Sequence, residues 1–149
     1  MEYLLLIHIF SAIILLGNII TAAFWKLKAE FSRDDAHINK TTKNIMMADY
    51  IFTIPSILSL LITGFILATN RHYSFNELNW LTVSLGLFTL TGVIWLSFLL
   101  PLQRKMIKYS GEEFQITNYQ KASRAWDMIG IIATIIPIVV LYLMVTKPF

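Results

Sequence analysis

Three ionisable side chains fall inside long apolar stretches of this sequence: His8, Asp49 and Asp127. Hydrocarbon makes such groups expensive, so each needs a partner or a use. His8 stands in LLLIHIFSAII. An imidazole there can ligate haem iron, bind another metal, relay a proton, or join helices through a hydrogen bond. Thr63, Ser84 and Tyr142 are the partners expected at its depth. A haem held by His8 has a candidate second ligand in Met144, because His37 and His72 lie between apolar stretches; a five-coordinate haem needs no second ligand. Asp49 and Asp127 could carry protons as carboxylates in a low dielectric. Both also lie close to Lys43 and Arg124, where an Asp–Arg pair would close one end of a bundle. Asn18, Asp49, Trp95, Arg124 and Asp127 are therefore expected to form one polar cluster.

Other chemistries lack their residues. With no cysteine, there is no disulfide, thiolate metal site or thiol nucleophile. Gly-rich phosphate loops, HExxH, nucleophile elbows and His/Asp/Glu groups at metal spacing are missing too, so no metal site of protein ligands is expected.

The elements that must position these groups are helices in a membrane. Of 149 residues, 56% are hydrophobic and 14% charged, against roughly 45–50% and 25% in a soluble domain. Mean hydropathy is +0.64. Four apolar runs cover about residues 3–24, 45–69, 78–102 and 126–146. Each is long enough to cross about 30 Å of hydrocarbon at about 1.5 Å per residue. Lipid offers the backbone no hydrogen bonds, and four spans are too few for a barrel. The expected fold is all-α, a single four-helix transmembrane domain over 1–149. A soluble enzyme, a nucleic-acid module and a secreted disulfide scaffold are excluded. The opening Met1-Glu2-Tyr3 has no basic residue, which favours a retained first helix over a signal peptide.

The net charge of +3 is topological. Ten Lys and Arg fall in the first and third connections, and only Arg71 and Lys147 fall on the other side. By the positive-inside rule, both termini lie outside and the basic connections face the cytoplasm. Trp25, Trp80, Trp126, Tyr3 and Tyr142 sit near span ends, as interfacial aromatics do.

At 100° per residue each span carries one polar stripe: His8, Ser11, Asn18 and Ala22; Asp49, Ser56 and Thr63; Ser84, Thr91 and Trp95; Asp127, Gly130 and Thr134. Such stripes are expected to face each other. Pro55 and Pro137 are expected to interrupt spans two and four, bending them or lining a cavity. The third helix is expected to run past Pro101 to Tyr109 and stop at Ser110-Gly111, with a short interfacial helix in EEFQITNYQKAS.

The segments YLLLIHIFSAIILLGN, ADYIFTIPSILSLLITG, NWLTVSLGLFTLTGVIWL and YQKASRAWDMIGIIA resemble a family of bacterial predicted integral membrane proteins of unknown function. So does the closing Met144-Val145-x-Lys147-Pro148. The resemblance implies a bacterial cytoplasmic (inner) membrane. The opening Tyr-Leu-x-x-x-His-Ile is more distantly similar to HemJ-type protoporphyrinogen oxidases and the copper-resistance D membrane domain. That likeness implies b-type haem with His8 as its ligand. The functional expectation is a haem b-binding redox or haem-handling protein. The alternatives are a non-enzymatic accessory or scaffold subunit, and a transporter of a small solute or ion. Expected partners are the lipid bilayer, a second copy or a larger membrane complex, and no nucleic acid.

Overall fold

The computed structural model describes all 149 residues. It is all-helical, with four helices long and apolar enough to cross a membrane: α1 (Glu2–Ser32), α2 (Asp35–Asn70), α3 (Trp80–Tyr109) and α4 (Ile116–Thr146). Each has 30–36 residues, more than the roughly 20 that hydrocarbon requires. All four therefore extend beyond the apolar layer. Two ends result. The terminal end holds both chain termini and the connection between α2 and α3. The basic end holds the other two connections.

The extra length corrects two expectations. Residues 35–44 are helical and continuous with the second span instead of forming a loop. Asp34 caps this stretch by accepting from the backbone N–H groups of Ala36 and His37. Ile38, Thr42 and Ile45, on one face, are its buried residues. The stretch was too polar to read as a span, yet it is amphipathic and packs. Likewise, no separate interfacial helix forms after Gly111. Residues 112–115 are not helical, and Ile116 begins a helix unbroken to Thr146.

The prolines divide into two kinds. Pro55 and Pro101 each follow a single wide π turn, Asp49–Thr53 and Trp95–Leu99. There the N–H of Ile54 bonds to the carbonyl of Asp49, and that of Leu100 to Trp95. Proline has no N–H and its ring crowds the carbonyl four residues back. One extra residue in the turn relieves that crowding without ending the helix. Pro137 lies inside an uninterrupted helix, so span four is not broken as expected.

Packing is by pairs. α1 lies along α2 and α3 along α4, while the pairs meet mainly through their basic halves. Ala29, Ile38, Met106, Tyr119 and Ala122, drawn from all four helices, form a core there. A smaller core of Ala68, Trp80 and Leu81, joined by Tyr73 and Met144, sits at the terminal end. Only 11–33% of each apolar window is buried against protein. The remaining apolar side chains, such as Ile13, Phe65, Leu96 and Ile131, face the lipid bilayer.

Candidate functional site

The α1–α2 seam carries three polar rungs. Asn18 Nδ2 donates to Asp49 Oδ1 at 3.0 Å and to Thr53 Oγ1 at 2.9 Å. The Ser11 and Ser59 hydroxyls lie 2.7 Å apart. His8 Nδ1 lies 2.8 Å from Thr63 Oγ1. The α3–α4 seam differs. Thr91 and Thr134 donate to carbonyls one turn back, of Leu87 and Gly130, and Ser84 Oγ is buried with no partner.

The His8 rung sets the ring's tautomer. Thr63 Oγ1 donates its one proton to the Ser59 carbonyl at 2.6 Å. It can therefore only accept from His8, which places the imidazole proton on Nδ1. The lone pair is left on Nε2. Ring orientation depends on Gly64: a Cβ added there would come within 3.1 Å of His8 Cε1. Gly64 was missed in the sequence, where it reads only as a small residue beside Thr63.

His8 lines a cleft of about 390 Å³ between the two helix pairs, toward the terminal end. Its walls are mostly apolar, including Leu15, Leu81, Phe88 and Val140. Ser84, Met144, Arg71 and Lys147 also line it. Arg71 and Lys147 directly follow α2 and α4, both exposed. The Lys147 ammonium stands 5.3 Å from the Trp80 ring centroid. The two residues counted only as topological charges on this side thus converge on one cleft. Tyr142, expected beside His8, is 60% exposed and lies off the cleft.

The five-residue polar cluster expected near the basic end is two clusters. In the first, Asp49 accepts from Asn18 and Thr53 on Oδ1 and from Gln103 on Oδ2 at 2.8 Å, and Trp95 lies against it. All these partners are neutral. The amide oxygen of Gln103, Oε1, is buried without a donor.

The second cluster forms around Lys26, only 2% exposed. Its ammonium lies 2.8 Å from Glu30 and 2.8 Å from Asp127, and donates to Ser123 Oγ at 2.7 Å. Trp126 supplies a ring face 5.3 Å away. Ser123 and Tyr119 donate to Glu30 Oε1 at 2.6 and 2.9 Å. Arg124 joins neither cluster. It is exposed, and the partner of Asp127 is Lys26 instead. Ser123, not Arg124, falls on the packed face of α4. The i, i+4 spacing of Lys26 and Glu30 was the available sequence signal.

Glu30 and Tyr119 lie beyond the apolar stretches, in the helical extensions at the basic end. Burial pushes the Glu30 carboxyl up, but hydrogen bonds from Lys26, Ser123 and Tyr119 and the Lys26 charge outweigh it, holding the group below its ordinary range. Burial, then the Glu30 charge, push the Tyr119 phenol up, so it remains a donor.

No curated protein and no solved structure matches the chain. A family model described as a predicted integral membrane protein, DUF2269, matches residues 2–148. That covers all four helices and both clusters, and the chain belongs to the DUF2269 family of predicted integral membrane proteins.

Proposed function

We propose that this protein binds haem b in the cleft between its helix pairs, with His8 as axial ligand, for redox or haem-handling work. One observation carries the reading. The Thr63 hydroxyl, already committed to the Ser59 carbonyl, holds the His8 proton on Nδ1 and leaves the Nε2 lone pair free. A ligating histidine needs this arrangement, its other nitrogen donating to a fixed acceptor. The donor set suits the group. The mostly apolar walls fit a porphyrin face, Met144 lines the same cleft as candidate second ligand, and Arg71 and Lys147 are cations suited to its carboxylates. When bound, the haem iron would supply one-electron exchange. His8 would hold the iron, Gly64 would keep the ring in place, and the apolar walls would exclude water.

The distribution of Lys and Arg supports the cytoplasmic membrane of a bacterium as the location. It puts the basic end in the cytoplasm and the cleft toward the exterior.

The test is an absorption spectrum of the protein purified in mild detergent, oxidised and dithionite-reduced. A Soret band is expected, absent from His8→Ala and shifted in Met144→Leu. A colourless protein after expression with added haem precursor would sink the proposal.

A further inference from the structure

A second cavity, of about 250 Å³, lies at the basic end between α3 and α4 and is lined by Leu102, Lys105, Tyr109, Asn118, Lys121 and Ala122. No acidic residue lines it. Lys105 and Lys121 are exposed and make no ion pair; the salt bridges of the chain all belong to Lys26. Two lysines thus line one hollow, and neither has a carboxylate partner.

Their depth identifies what could. Each lysine stands twenty-five positions from the terminal end of its helix, Trp80 to Lys105 and Thr146 to Lys121. At about 1.5 Å per residue that is about 37 Å, against hydrocarbon of about 30 Å. With Trp80 and Thr146 at the edge of the apolar layer, the backbone at both lysines lies about 7 Å past its other edge, at headgroup level. Toward the membrane the hollow is floored by Leu102 and Ala122. Tyr109 supplies a hydroxyl and Asn118 an amide, whose nitrogen donates to Gln115.

We infer that this hollow is a binding site for one anionic phospholipid. Its phosphate sits between Lys105 and Lys121, and its acyl chains pass down over Leu102 and Ala122. The inference is independent of haem binding. A juxtamembrane lysine at a lipid surface contributes enough to change affinity about fivefold. Two in one hollow distinguish a phosphatidylglycerol headgroup, with net negative charge, from a zwitterionic one.

The experiment uses the whole protein in phosphatidylcholine vesicles, with spin-labelled phosphatidylglycerol or spin-labelled phosphatidylcholine as probe. The motionally restricted fraction measures preference. Wild type should prefer phosphatidylglycerol, with the preference falling about fivefold for each of Lys105→Gln and Lys121→Gln. Lys40→Gln with Lys43→Gln removes equal charge from exposed positions on α2 and should leave most of the preference. The pair Lys105→Arg and Lys121→Arg should retain it, separating loss of charge from loss of fold. No preference in wild type overturns the inference. So does equal loss in both glutamine pairs, which means a diffuse basic surface. Full displacement by inorganic phosphate also overturns it, since the hollow would then hold free anions and not a lipid.

Discussion

At the basic end, Lys26 has two carboxylates and a hydroxyl within 2.8 Å, and Tyr119 and Ser123 complete the coordination of Glu30. At the terminal end, Nε2 of His8 has no protein partner, Ser84 Oγ has none, and Arg71 and Lys147 make no ion pair. One end spends its polar groups on each other and closes the bundle. The other leaves them facing a cleft. A buried ion left alone costs several kcal/mol, so the first arrangement is structural. Unpaired groups around an apolar cavity are what a ligand site requires.

Breaking the basic end should have the largest effect. Lys26→Met strands Glu30 and Asp127 without their cation and should cost about 3–5 kcal/mol, read as loss of thermal stability in detergent. Adding Glu30→Gln and Asp127→Asn to that variant should recover part of it. An equally unstable triple variant would show that packing by the Lys26 stem, not charge, holds this end.

Asp49 sharpens the contrast, because its partners are neutral. Asp49→Asn removes a buried charge but replaces one of the two accepting oxygens with an amide NH2, which sets donor against donor. It should cost about 1–3 kcal/mol, less than Lys26→Met in the same melting assay.

At the terminal end, Gly64→Ala should act on the proposed haem site more than on the fold. The methyl would press on His8, for a loss of about 1–3 kcal/mol, and haem retention measured from the Soret band should fall well below wild type. Unchanged haem content with lowered stability would make the Gly64 contact purely structural.

Acid should act on the basic end through Glu30. The Glu30 carboxyl is lower in the folded protein than in the unfolded chain. Its contribution is therefore present above the ordinary carboxylate range and lost as pH falls through the lowered folded value. Glu30→Gln should flatten that part of the stability-against-pH curve.

The smallest effect is expected at Ser84. Ser84→Ala removes a buried oxygen with no partner and should leave stability unchanged within about 0.5 kcal/mol. Ser123→Ala breaks bonds to both Lys26 and Glu30 and should cost about 1–3 kcal/mol. Comparable losses at the two serines would mean that Ser84 is satisfied by a group from outside the chain.

Four spans, the stripe on α1 and the His8–Thr63 depth match were legible in the residues. So was the continuation of the third helix past Pro101. Hydropathy and a 100° period are properties of one segment at a time, and membrane helices obey them closely because lipid leaves the backbone no alternative. Partner choice across helices was less legible. Arg124 and Asp127 are neighbours in sequence, but Lys26, about a hundred positions away, takes the bond. Gln103 lies at the edge of an apolar run and reads as an ordinary surface residue, yet it is 2% exposed and holds Asp49.

Composition and periodicity alone dictate that the chain crosses a membrane four times as helices, because burying about twenty apolar residues per span leaves no other backbone solution. They also place a lone histidine inside the first span. Which helices pair, where they part and which polar atoms are left over depend on rotation and depth of whole helices against one another. In this protein the two pairs close on Lys26 and open around His8, because the side chains that satisfy each other are brought together only when all four helices pack.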